Sequence, residues 1–438
     1  MAEARDWLAS PGGALHGTLA IPGDKSISHR SVMLAAIADG RSRIDGFLEA
    51  ADTRATAAIF GRLGVRIEAP MEGVRLVDGV GVDGLRGADG PLDCGNAGTA
   101  MRLLAGLLSA QPFDSVLVGD ASLNQRPMRR VTEPLAAMGA RVDTDDGHAP
   151  LRIHGGRALH GTEHVLTVAS AQVKSALLLA GLWARGETVV REPRPTRDYT
   201  ERMLSAFGVE VAHGEGRAAL HGGQRLRAAD MRVPADFSSA AFFIVAATVV
   251  PGSELRLRGV GVHPRRTGLL RVLRAMGADI ALVPVEAPGD DGEPVADIVV
   301  RHAPLHGIDV PAEVVPDMID EFPALCVAAA AATGTTRIHG ASELRVKESD
   351  RIAAMAEGLR ATGIAVRDTA DGAVVQGGML HGGEVDSHGD HRIAMAFAVA
   401  AQIARAPLRI GDVGNVATSF PGFAALARSA GFGLSAAG

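Results

Sequence analysis

The 438-residue chain is short of cysteine, of net positive charge and of long apolar runs, and each shortage excludes something. Two cysteines, Cys94 and Cys326, cannot build a disulfide framework and have no neighbours at zinc-site spacing. The formal charge of −6 and pI near 6.2 argue against nucleic acid or an anionic membrane as a general partner, since both demand clustered basic charge. The longest apolar stretch, AAFFIVAATVV, falls far short of the ~20 residues that span a bilayer, and no basic segment followed by an apolar run opens the chain. A cytoplasmic protein is expected. With 47% apolar and 21% charged residues the chain should fold, and its length exceeds what one core usually holds, so two domains are expected.

What the chain does have is repetition. Six segments, FGRLGVRI, LAAMGARV, LSAFGVEV, LRAMGADI, LRATGIAV and the degraded ARSAGFGL, place a glycine between an apolar-periodic run and a strand-like pair. The glycines are Gly64, Gly139, Gly208, Gly277, Gly363 and Gly431. A left-handed helix C-terminus selects glycine at this position. A second set of six, starting at Ser28, Gly98, Ser170, Ser238, Asp320 and Asp390, opens on small or polar residues and runs on as Ala- and Leu-rich segments almost free of charge. Helices apolar on nearly every face must be buried. Each repeat is therefore expected to supply one buried helix, one amphipathic helix and several strands.

The N-terminus of a helix presents unsatisfied N–H groups and the positive end of its dipole, so these helix mouths suit an anion. In IPGDKSISHR, residues 21–30, Lys25, Ser26, Ser28 and Arg30 gather at the first mouth. A lone KS is more often a capped turn, and the P-loop order is absent; repetition favours the anion reading. The other mouths carry Asn96, Gly98 and Thr99, then Ser170, Gln172 and Lys174, then Asp390, His391 and Arg392. RVKESDR (Arg345, Lys347, Glu348, Asp350, Arg351) would by itself be a solvated charged face, and MIDEFP sets Asp320 and Glu321 at the head of an apolar helix where a simple cap would serve. A metal reading of His388, Asp390 and His391 is disfavoured by the adjoining Arg392 and the lack of a third histidine or cysteine at ligand spacing.

Nine ordered motifs, PGDKSISHR, GNAGTAMR, QRPM, ASAQVKSALLLAGL, TRDYTERM, MIDEFP, ELRVKESDR, DHRIAMAFAVA and TSFPGF, together resemble the 5-enolpyruvylshikimate-3-phosphate synthase family from the first repeat to the last. The resemblance implies a two-domain inside-out α/β barrel with six βαβαββ repeats, three per domain. Residues 21–234 would form the upper domain, and 1–20 with 235–438 a discontinuous lower one, with helix N-termini facing the cleft between them. It implies transfer of the carboxyvinyl group of phosphoenolpyruvate to the 5-hydroxyl of shikimate 3-phosphate by addition and elimination, with release of phosphate, as a step toward chorismate and the aromatic amino acids. Lys25, Asn96, Gly98, Arg126, Gln172, Arg351 and Arg392 would face phosphoenolpyruvate. Lys25, Ser26, Arg30, Ser170, Ala171, Gln172, Arg197, Asp320 and Lys347 would face shikimate 3-phosphate. Glu348 would be the acid toward carbon and Asp320 the base toward the hydroxyl, with Lys25 able to share either proton. No metal or organic cofactor follows.

Some positions depart from the family pattern. Ala417-Thr418 stands where many relatives have lysine before the last motif, Ala171 replaces a second serine, and Arg197 lies where some have serine. These choices look like a divergent bacterial subclass, several members of which tolerate glyphosate, whereas Gly98 is the small residue associated with sensitivity; inhibition by glyphosate is expected. The sister enzyme acting on UDP-N-acetylglucosamine carries a reactive loop cysteine, and VGDASLNQRPM has none. A non-catalytic anion-binding repeat protein would gain nothing from the carboxylates Asp320 and Glu348 among cations. A monomer is expected, because no large exposed apolar face is marked.

Overall fold

A computed structural model describes residues 5–285 and 292–437. All six repeat glycines have left-handed backbone, with φ from 85° at Gly208 to 109° at Gly431, a region that a side chain would strain. Just before each glycine a helix stops: Ala51–Arg62, Arg129–Ala137, Tyr199–Ala206, Gly268–Ala275, Arg351–Ala361 and Phe423–Ala430. These are the partly exposed helices of the six repeats.

The apolar segments form the inner helices α1 (Lys25–Ala36), α2 (Gly98–Ser109), α3 (Ala171–Gly181), α4 (Phe237–Val249), α5 (Phe322–Ala331) and α6 (His391–Ala401). Every residue of α4 is buried, as its composition requires. Two starts differ from expectation because aspartates upstream make the caps. Asp24 accepts from the Ile27 N–H and Asp236 from that of Ser238, so α1 and α4 begin before Ser28 and Ser238. Asp320 and Glu321 close a 3-10 turn, Val315–Glu321, that leads into α5; Glu321 stands at the helix's N-cap position but its side chain makes no cap hydrogen bond. Pro323, which has no N–H, is tolerated only in the first turn of α5, and this sets where the helix starts.

The chain divides into two compact units. One comprises Met1–Pro22, Pro234–Ala287 and Pro294–Gly438, the other Gly23–Val233 and Pro288–Glu293. Each has its own apolar core. In the first unit α4, α5 and α6 pack against one another; in the second α1 and α3 both pack against α2. Three sheets cover the inner helices in each unit, giving a mixed α/β architecture of six repeats.

The third repeat shows the pattern. Its strands, Glu163–Val165, Glu187–Arg191, Val211–Gly214 and Arg217–His221, lie in the order first, second, fourth, third; the first pair is parallel and the others antiparallel. Where the chain passes between units the first strand is exchanged. His16–Ala20 precedes α1 in sequence but pairs in parallel with Glu254–Gly261, after α4. Leu226–Arg227 and Met231–Arg232 precede α4 but pair in parallel with Ala38–Asp45, after α1. Trp7–Ser10 supplies the fourth strand of the last repeat, between Leu408–Gly411 and Gly433–Ala436.

Candidate active site

In the unit built on α1, α2 and α3, the first turns of the inner helices carry most of the expected anion-binding residues. Arg30 is 4% exposed, and three of its N–H groups are spent on neutral oxygens: Nε on Thr200 Oγ1 at 2.7 Å, Nη2 on Ser175 Oγ at 2.9 Å and Nη1 on the Ser26 carbonyl at 2.9 Å. Burial and the facing Arg197 pull its pKa down to about 10. A buried guanidinium held by neutral groups next to another arginine is poised for an anion from outside. Lys25 pairs with the buried Asp52.

At the mouth of α2, Arg126 donates to Asn96 Oδ1 at 2.6 Å, and Asn96 in turn donates to Asp120 Oδ2 at 2.7 Å. Gly98 opens the helix beneath these groups, and a Cβ there would lie 2.9 Å from Arg126 Nη1. Gln172, on α3, bridges to α2: its Oε1 accepts from Arg102 Nη1 and its Nε2 donates to Thr99 Oγ1, both at 2.8 Å. Ser170 caps α3, accepting from the Val173 N–H, and Ala171 follows it.

One member of the expected constellation is spent elsewhere. Lys174 faces neither helix mouth nor solvent; its Nζ lies 2.8 Å from Glu192 Oε2 and 2.8 Å from Glu201 Oε1. Burial disfavours its charge, but the two carboxylates outweigh burial and hold its pKa above the ordinary lysine value.

In the other unit, the acidic residues are threaded onto arginines. Arg351, 1% exposed, begins the helix Arg351–Ala361 and grips three carboxylates: Asp390 Oδ2 from Nε at 2.8 Å, Glu348 Oε2 from Nη2 at 2.6 Å, and Asp320 Oδ1 from Nη1 at 3.5 Å. Burial works against its charge, but the three carboxylates prevail and raise its pKa. RVKESDR is therefore no solvated face: it turns through Ser342–Val346 and ends on the most buried arginine of the set. Asp390 caps α6 through the Arg392 N–H at 2.9 Å; burial would raise its pKa, yet Arg351 holds it below the usual carboxylate range. So Asp390 serves as cap and counter-ion, and among the described residues no group of three or more His, Cys, Asp or Glu is placed to hold a metal ion.

Asp320 also lies 3.6 Å from Lys347 Nζ and 3.4 Å from Arg266 Nη1, and its backbone carbonyl accepts from Arg392 Nη1 at 2.9 Å. Arg266 reaches Asp236 Oδ1 at 3.2 Å; burial opposes the charge of Asp236, but Arg266 and Arg392 keep its pKa low. Glu321, bonded to Ser238, goes the other way: burial raises its pKa despite the same two arginines. Asp320 and Glu348 keep side-chain exposures of 18% and 19%, whereas Asp390, Asp236 and Glu321 in the same cluster are buried.

A family model described as EPSP synthase (3-phosphoshikimate 1-carboxyvinyltransferase) matches residues 9–426. The chain belongs to the EPSP synthase family. Curated relatives named 3-phosphoshikimate 1-carboxyvinyltransferase include one from Xanthomonas campestris pv. campestris, 68% identical over 435 residues and 99% of both chains, and one from Xanthomonas oryzae pv. oryzae, 67% identical over 98% of both. The fold is likewise that of solved EPSP synthases. An Acinetobacter baumannii EPSP synthase superposes with a TM-score of 0.88 at 48% identity, covering 98% of this chain and 99% of that one.

Against this EPSP synthase frame, sequence reasoning passed over the buried Arg102, Arg266 and Asp52, which contact the expected site residues Gln172, Asp320 and Lys25, and the buried Asp236, which pairs with Arg266. Arg102 had a visible signal, since it is the one charge in an otherwise apolar helix. Arg266 and Asp236 had none, because Arg266 lies far in sequence from both of its carboxylate partners, Asp236 and Asp320. Cys94 and Cys326 are both buried, and burial pushes both thiols up, away from reactivity.

Proposed function

We propose that this member of the EPSP synthase family transfers the enolpyruvyl group of phosphoenolpyruvate to the 5-hydroxyl of shikimate 3-phosphate, and that residues of both units serve the one reaction. The observation that carries the reading is the pair Asp320 and Glu348, held on one buried arginine, Arg351, and flanked by Lys347, Arg266 and Arg392. Anion binding alone needs only the cations; carboxylates kept open among them serve proton transfer.

In this reading Glu348 gives a proton to the methylene carbon of phosphoenolpyruvate, which becomes a methyl group and leaves C2 electrophilic. The 5-hydroxyl oxygen bonds to C2 and its proton passes to Asp320. The tetrahedral adduct then returns a methyl proton, the C2–O bond to phosphate breaks, and the enol ether and inorganic phosphate are left. Lys25, paired with Asp52, would share either proton. Arg126, Arg351, Arg392, Asn96 and Gly98 receive phosphoenolpyruvate; Ser26, Arg30, Ser170, Ala171, Arg197 and Lys347 receive shikimate 3-phosphate, with Gln172 serving both. The unit Gly23–Val233 would then mainly grip anions and the other mainly move protons. No step calls on a metal or organic cofactor. We further propose that the protein works as a cytoplasmic monomer and is inhibited by glyphosate in competition with phosphoenolpyruvate.

Phosphate release from phosphoenolpyruvate tests the reading, with shikimate 3-phosphate and UDP-N-acetylglucosamine offered in parallel. Release is expected only with the former, and Glu348→Gln or Asp320→Ala should lower kcat by ~10²- to 10⁴-fold. Release only with the nucleotide sugar would reassign the acceptor; release with neither would leave a binding protein.

A further inference from the structure

Lys174 is buried, touches no expected substrate group, and consumes two carboxylates. Those carboxylates neighbour the residues that hold shikimate 3-phosphate in the reading above. Glu201 follows Thr200, whose hydroxyl accepts from Arg30 Nε and lies 2.7 Å from Ser175 Oγ. Glu192 accepts from the N–H and hydroxyl of Thr196, at 3.2 and 2.5 Å, in the turn that leads into Arg197. Lys174 itself shares α3 with Ser175, the other hydroxyl holding Arg30. One ammonium therefore ties together the supports of both arginines.

The arrangement is also a matter of charge. Arg30 is buried with no carboxylate among the described residues at hydrogen-bonding distance, although the negative charge of Glu201 is close enough to act on it. A carboxylate that swung onto Arg30 would fill the place an incoming anion has to take. Glu201 Oε1 is instead held at 2.8 Å by Lys174, and Oε2, buried, has no hydrogen-bond partner.

We infer that Lys174 is a positioning residue for shikimate 3-phosphate: by holding Glu201 it keeps that carboxylate off Arg30, so that this arginine stays available to an anionic group of the substrate, and by holding Glu192 it steadies the turn before Arg197. The inference rests on the proposed function. Without the ammonium, the charge of Glu201, which already acts on Arg30, would be free to turn to it and compete with substrate.

The test compares wild type with Lys174→Met and with the double variant Lys174→Met/Glu201→Gln, all checked for fold by circular dichroism. In Lys174→Met the KM for shikimate 3-phosphate should rise roughly tenfold or more, with kcat and the KM for phosphoenolpyruvate changing far less. The double variant, which lacks the competing charge, should regain most of that loss; a structural role alone would instead change kcat and both KM values together. Should Lys174→Met fail to fold, Lys174→Gln, which keeps one donor but loses the charge, carries the same expectation. A folded single variant with unchanged KM for shikimate 3-phosphate, or a double variant as weak as the single, overturns the inference. A wild type inactive with shikimate 3-phosphate overturns the functional reading instead.

Discussion

Gly98 shows how little room the site leaves at the residue scale. A methyl group there would sit 2.9 Å from Arg126 Nη1 and 3.3 Å from Arg102 Nη1, both ends of flexible side chains. The protein should therefore fold, with the guanidiniums displaced rather than the helix. Gly98→Ala is expected to raise the KM for phosphoenolpyruvate severalfold and to weaken glyphosate by a larger factor, on the order of tenfold or more, because the longer inhibitor would meet the methyl as well. Steady-state inhibition assays check this; equal inhibition constants for the two proteins would defeat it.

Asp390 offers a second test, this time of stability. Its depressed pKa means that its contribution is present above the unfolded carboxylate pKa, ~3.9, and is lost as pH falls through the lower folded value. Asp390→Asn should cost about 3 kcal/mol at neutral pH, since it strips a buried arginine of its most buried counter-ion. The gap from wild type should narrow near pH 3, as read by urea unfolding at both pH values. Much of this site was legible beforehand, because Lys25, Arg30, Glu348 and Arg351 lie in dense local motifs. Lys174 was misread because the carboxylates that claim it come from Glu192 and Glu201, beyond the reach of any local pattern.

Among elements, the approach of α2 to α3 sets the site most directly, since it brings Arg102 and Thr99 onto Gln172. It depends on Gly106, where an added Cβ would fall 2.0 Å from the Ala176 carbonyl oxygen. Alanine is ordinarily the better helix former by about 1 kcal/mol. Here the backbone clash should win, and Gly106→Ala is expected to destabilise by about 1–3 kcal/mol while raising the KM for phosphoenolpyruvate. Denaturant midpoints and kinetics on the same preparation check both; a stabilised variant would show that the helices can part freely. The inner helices could be read in the sequence because their apolar runs recur sixfold, and the outer ones because their terminal glycines do. The strand exchange could not: nothing local tells His16–Ala20 to pair after α4 rather than α1. Pairing of that kind is settled by which sheet lacks a parallel first strand, a property of the finished unit.

For the whole molecule, the exchange has a consequence for autonomy. Because Leu226–Arg227 and Met231–Arg232 return to pair with Ala38–Asp45, the span Gly23–Val233 contains all the strands of its three sheets and all of its core cluster. Its closure does not require His16–Ala20, which belongs to the other unit. A fragment of residues 23–233 is therefore expected to unfold in one cooperative transition, and one of 23–224, lacking the returning strands, to be much less stable or not to fold. The longer fragment should bind shikimate 3-phosphate weakly through Arg30, Ser170 and Arg197, and should release no phosphate from phosphoenolpyruvate, because Asp320 and Glu348 lie outside it. Calorimetric binding with an activity assay on the same fragment decides the matter. Turnover by the fragment alone would remove both carboxylates from the mechanism, whereas cooperative unfolding with binding and no turnover would separate anion capture from proton transfer along the line where the chain divides.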